Sequence, residues 1–316
     1  MLRMISLGAA LLMPLAAQGQ DAAGEGWPRS LTDPLGEVVI EAPPQNIAST
    51  APSLTGILLA IGAPVKSTST ALIGPLTDDK GYFLQWAAEA DAQGVEPLYP
   101  NLTFDIETVI LADPDLVIAS ATGGDAILPF VPALQAQGLK VLVLDYSSGS
   151  WEDLARQLGR ATGHEAGAEK VIRDFADQAQ AVAQKLTVPA GTVSVVSYNF
   201  SGTYAVSKPT SPQAKLLAEL GFTVSGLPEA LAGAAERSSD FDFVSHENLA
   251  AAIAGEGVFL LNGTEESVAA FMADPVLANL PAVKAGQVWP LGPTSFRVDY
   301  YSGLDILNTV SPYFIK

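Results

Sequence analysis

Short runs of β-branched and aliphatic residues alternate along the chain with stretches whose apolar positions recur every three or four residues. Strands are expected at 38–40, 47–49, 116–119, 141–144, 193–198, 258–261 and 288–291. Helices are expected between them, and the alternation implies α/β units. The segment 54–61 has Thr50 and Pro52 ahead of it and Gly62 behind it, which are good start and stop signals. Ile106, Val109 and Ile110 place one apolar stripe on a short helix before the strand at 116, and Ser150 with Asp153 has capping-box spacing ahead of a helix at 151–161.

The stretch 165–186 stands apart. It would make about six turns. No Gly or Pro interrupts it between Ala168 and Thr187, and Val171, Ile172, Phe175, Val182 and Leu186 lie near helical spacing. It falls near mid-chain with βα units on each side. The reading adopted is two α/β lobes joined by a single long helix: an N-terminal lobe at 27–162, the interlobe helix at 163–187 and a C-terminal lobe at 188–316. The competing reading is an ordinary surface helix of one domain.

The N-terminus changes the picture of where the chain works. Arg3 precedes an uncharged apolar run from Met4 to Ala17, followed by small Gly19 and polar Gln20 and Asp21. This is the layout of a signal peptide, assigned to 1–19, with cleavage after Ala17 or Gly19. The run is too short for a permanent membrane anchor. There is no cysteine, hence no disulfide, thiolate metal site or site for lipid attachment. The expected product is exported to the periplasm and not lipidated.

Sixteen Lys and Arg face 34 Asp and Glu, a net charge of −18, which argues against nucleic acid and anionic membranes as partners. An anionic ligand would need a local basic patch against that field. Catalytic signatures are missing: there is no phosphate-cradling loop and no Gly-x-Ser-x-Gly elbow. The only histidines, His164 and His246, are too few for a His-rich metal site. No enzyme activity, metal site or cofactor is expected. The paired acids Asp78–Asp79 and Glu265–Glu266 read as solvated turns or helix starts. The loop from Ser120 through Gly123 and Gly124 to Asp125 suits either ligand contact or simple chain reversal.

Seven segments in order carry a resemblance: Trp27-Pro28-Arg29; Leu54-Thr55-Gly56 with Leu58 to Ile61; Ser120 to Asp125; Gln157-Leu158-Gly159 with Thr162 to Glu165; Leu220 to Thr223; Glu247 to Ala251; and Phe296-Arg297 with Asp299 to Ser302. Through them the chain resembles the periplasmic binding proteins for siderophores, haem and cobalamin, and among these the ferric-enterobactin-binding family, from about Trp27 to Tyr301. The resemblance implies two lobes flanking a cleft, and a monomer that delivers a ferric siderophore, of enterobactin-like catecholate type, to an inner-membrane ABC permease. Iron would enter only as part of that ligand. A haem or cobalamin carrier of the same fold is the alternative. The resemblance implies a permease-docking glutamate on each lobe, at Glu107 and Glu247, and a ligand arginine at Arg297. Two family ligand positions depart here, with Pro75 in place of an arginine and Ser207, or a close neighbour, in place of a tryptophan. Lys208 and Arg237, with Lys80, are candidates to restore charge. Tyr82 and Tyr300, with Tyr204 and Trp289, are candidates for an aromatic wall.

Overall fold

The computed structural model describes residues 26–147, 149–200, 202–231, 236–237 and 240–315. The N-terminal lobe opens with an antiparallel hairpin, β1 (Arg29–Asp33) and β2 (Gly36–Ile40). It continues through β3 (Ile47–Ser49), α1 (Pro52–Ala60), β4 (Val65–Thr68), α2 (Leu84–Gln93), β5 (Glu96–Pro97), α3 (Ile106–Leu111), β6 (Leu116–Ser120), α4 (Val131–Ala136), β7 (Val141–Leu144) and α5 (Trp151–Thr162). Strands β3 to β7 form a parallel sheet in the order β5-β4-β3-β6-β7. The fully buried runs of β6 and β7 reflect a parallel sheet covered on both faces.

Helix α6 (Glu165–Ala183) follows at once, on the segment whose pattern implied it. Its buried face is Ala168, Val171, Phe175 and Ala179, which packs against α5 and the C-terminal helix. Gly167 lets α6 approach α1 closely, since a Cβ there would meet the Ile61 carbonyl oxygen.

The C-terminal lobe runs β8 (Thr192–Phe200), β9 (Thr203–Ser207), α7 (Pro212–Glu219), β10 (Thr223–Val224), β11 (Glu236–Arg237), β12 (Phe241–Val244), α8 (His246–Ala252), β13 (Gly257–Leu261), α9 (Glu265–Ala273), α10 (Pro281–Ala285), β14 (Val288–Pro290) and α11 (Tyr300–Phe314). Its sheet is mixed, in the order β11-β12-β9-β8-β13-β14, with β10 also on β8. The antiparallel β9, β12 and β11 were not anticipated from the sequence.

The lobes share one core. It extends from Leu54, Leu58 and Trp86 through Phe175 to Phe222, Phe259 and Phe314. Helix α11 packs on α6 and β14 and also reaches α1 and α2 in the first lobe. The chain leaving α6 is tied to the end of α11, where Thr187 N donates to Phe314 O at 2.8 Å and Leu186 bridges to Ile315. Ser150 caps α5 with one half of the anticipated box: its Oγ accepts from Asp153 N, while Asp153 bonds the Ser150 hydroxyl and not its backbone. Among the described residues no helix is long and apolar enough to cross a membrane, and the segment 1–19 lies outside them.

Candidate functional site

Residues just past the carboxyl ends of strands line the crevice in α/β folds, and three such segments meet between the lobes. The loop after β6 supplies Gly124 and Asp125, the turn after β7 supplies Tyr146, and the segment after β14 supplies Phe296 and Arg297. They border an open cleft of about 870 Å³. Its N-terminal wall is apolar, built from Leu72, Ile73, Pro75, Leu76, Phe83 and Leu102. Leu72 and Ile73 remain 72% and 63% exposed, far more than packing within the chain would leave. The facing wall is more polar, with Asn199, Asn262, Thr264, Glu266 and Thr294 beside Phe296.

Arg297 joins the two walls. Its guanidinium lies 4.1 Å from the centre of the Tyr146 ring, and Nη2 donates to the Tyr146 hydroxyl at 3.1 Å. The hydroxyl in turn donates to Asp125 Oδ1 at 2.7 Å, and Asp125 Oδ2 accepts from Ser53 N at the start of α1. Burial and the neighbouring Asp125 charge push the phenol up to about 12 against the opposing pull of Arg297, so it stays a donor at neutral pH. The glycine loop makes this possible: at Gly123, φ is +83° and a Cβ would lie 1.6 Å from the Tyr146 hydroxyl. The loop is therefore more than a chain reversal.

Arg297 does not pair with Asp299. That carboxylate caps α11, accepting from Ser302 N at 2.8 Å, while Ser302 Oγ accepts from Asp299 N to complete a capping box. Burial pushes the Asp299 carboxyl up, against hydrogen bonds from Ser302 and Gln85.

The other candidates lie elsewhere. Tyr82 is a core residue, fully buried, with its hydroxyl donated to Val95 O at 2.8 Å. Tyr300 packs on Trp151 and Tyr301 and does not line the cleft. Lys208 Nζ lies 3.9 Å from Asp242 Oδ1, also outside the cleft lining. Arg237 sits in β11 opposite Asp242, and its side chain is outside the described residues. Lys80 pairs with Asp91 at 2.6 Å, Tyr204 stacks on His246, and Trp289 packs between Phe259 and Phe314. The aromatic surface of the cleft comes instead from Tyr146, Phe296 and Phe83.

Glu107 and Glu247 are both exposed and both sit in the first turn of a helix, α3 and α8. Asp105 caps α3, accepting from Glu107 N at 2.9 Å. Beside Glu247, His246 Nε2 lies 2.6 Å from Asp274, which also accepts from Tyr198 at 2.8 Å. Each helix leads into an interior strand of its sheet, β6 or β13, so the two glutamates hold equivalent positions.

A second, smaller hollow of about 410 Å³ opens between the lobes on the other side of Tyr146. It is lined by Trp151, Lys215 and four acids, Glu152, Asp153, Glu219 and Asp240.

Comparison with known proteins agrees with this architecture. The periplasmic binding protein family matches residues 47–294. The chain is 37% identical over 292 residues to the ferric enterobactin-binding periplasmic protein FepB of Escherichia coli O6:H1, covering 91% of each. It superposes on the crystal structure of holo-ViuP with a TM-score of 0.83 at 34% identity, covering 92% of this chain and 97% of that one. The fold is shared at 16% identity with Staphylococcus aureus SirA complexed with staphyloferrin B, at a TM-score of 0.66 over 89% of this chain and 96% of that one. Proteins of this kind bind solutes without transforming them, and the chain is not an enzyme. With two α/β lobes about a cleft, one long connecting helix and a family match across most of its length, the chain belongs to the periplasmic binding protein family.

Proposed function

We propose that the chain is the periplasmic, signal-exported and unlipidated component of an ABC importer, and that it binds a ferric siderophore and hands it to the inner-membrane permease. The observation that carries this reading is Arg297, its guanidinium held over the Tyr146 ring at the junction of a wide, largely apolar interlobe cleft. A guanidinium held this way offers its remaining donors to an anionic ligand and its plane to aromatic rings. The FepB relative favours catechol rings as the iron-binding groups. No histidine lines the cleft: His164 precedes α6 and bonds Thr162 through Nδ1, and His246 faces Asp274. The site thus lacks an imidazole for a haem or cobalamin axial position.

Titration of the mature protein with a ferric catecholate, haem and cobalamin, read by tryptophan fluorescence, tests the reading. Saturable quenching by the ferric complex alone is expected. Tight binding of haem or cobalamin with none of the siderophore would overturn it.

The docking role of Glu107 and Glu247 has its own test. The resemblance implies permease arginines opposite these glutamates, so charge reversal to Arg at either should leave ligand affinity within about twofold and block uptake in cells, because like charges at a rim contact oppose encounter. Normal uptake by both variants would remove these residues from the permease contact.

A further inference from the structure

The charge lining the cleft does not match a strongly anionic ligand. Among the described lining residues Arg297 is the one base, while Asp125 and Glu266 are acids. Part of the Arg297 charge is already engaged, since its hydrogen bond to Tyr146 continues to Asp125. The chain as a whole is strongly acidic, with a net charge of −18.

A ferric complex made with three catecholates carries three negative charges, because each catecholate brings two and iron(III) removes three. One of these charges would meet Arg297. The others would face side chains without a positive charge: Leu72, Ile73, Pro75, Leu76 and Leu102 on one wall, whose side chains have no donor, and the neutral amides and hydroxyls of Asn199, Asn262, Thr264 and Thr294 on the other. The surrounding field would oppose entry as well. The apolar wall itself asks for a ligand with extended apolar or aromatic faces.

Resting on the siderophore reading above, we infer that the cleft is built for a ferric complex of net charge −1 or zero. In such a complex neutral or singly charged donors take the place of some catecholate oxygens. The single guanidinium then balances the ligand, and the apolar wall covers its rings.

A matched series of tripodal iron(III) complexes tests this. Catecholate rings are replaced one at a time by hydroxypyridinonate rings of nearly the same shape, which carries the net charge from −3 through −2 and −1 to zero. Tryptophan quenching on the full mature protein should show the −1 and zero complexes binding at least tenfold tighter than the −3 complex. Binding of the −3 complex should improve as salt rises, since screening relieves repulsion. Pro75→Arg and Glu266→Gln, both at exposed positions of the lining, should each narrow the gap by threefold or more. Equal or tighter binding of the −3 complex by the unaltered protein, or its weakening by salt, overturns the charge inference while leaving the siderophore reading standing. If no member of the series binds, the siderophore reading itself fails and the inference falls with it.

Discussion

Two hollows open between the same two lobes, and Tyr146 borders both. The larger has an apolar wall, an arginine stacked on the tyrosine and a glycine loop shaped around the phenol. The smaller has four acids around Lys215. They share a seam, and what separates them is the chemistry at the strand ends. A hollow rimmed by acids repels an anion, whereas a dry wall with one well-oriented guanidinium can hold one. A gap between lobes is thus a by-product of this architecture, and the side chains decide which gap is a site.

The sharpest way to break this comparison is Arg297→Ala. Truncating a desolvated charge that pairs with a ligand costs roughly 2–5 kcal/mol, so affinity for the preferred ferric complex should fall well over tenfold. Melting should change little, because the side chain is only half-buried and belongs to no core cluster. Unchanged affinity with a lowered melting temperature would make Arg297 a structural residue.

Gly123→Ala attacks the other side of the same contact. The added methyl would collide with the Tyr146 hydroxyl at a φ that disfavours any side chain. Strain of this kind costs about 1–3 kcal/mol, so Tm should fall by roughly 2–10 °C for a chain of this size. Ligand affinity should weaken as Tyr146 is displaced. Calorimetry beside quenching titration reads both effects.

The smallest effect belongs to the acidic hollow. Partial desolvation of an otherwise exposed side chain, and then the charge of Glu152, raise the Glu219 carboxyl from its ordinary value. A carboxyl that holds its proton more tightly when folded weakens the fold once pH rises past the unfolded value, about 4.3. Glu219→Gln should therefore leave melting unchanged at acid pH and raise it at neutral pH, by no more than about 2 °C because the side chain is exposed and its field screened. Ligand affinity should not move. A loss of affinity in this variant would mean the two hollows work as one site.

Periodicity alone located α6, because nineteen residues on one helical phase admit few alternatives. Strand ends also pointed the right way: the loop singled out up to Asp125 follows one such end, and Tyr146 follows another, a signal that would have named it. Side-chain direction was harder to read. Tyr82 stands in a polar loop beside Lys80 and Gly81, yet it is buried with its hydroxyl on Val95. Tyr300 is three residues from Arg297, but the Asp299 cap starts a helix between them and turns the ring toward Trp151. Local composition carries no record of such rotations. The apolar wall at Leu72 and Ile73 was missed because exposed aliphatic residues look like core residues until their burial is known.

Helix α11 belongs by sequence to the second lobe and lies by contact against both, with its end tied to the chain that leaves α6. Moving the lobes far apart would tear a core that runs unbroken through these two helices. The cleft therefore stands ready before the ligand arrives, and capture needs no slow closing step, which leaves the association rate near the usual 10⁵–10⁷ M⁻¹s⁻¹, about what two well-formed surfaces allow. The same stiffness works against unloading. A tightly held cargo leaves by itself only at the slow rate its affinity sets, so fast delivery is mechanical work done by a receiving machine that strains both lobes at once.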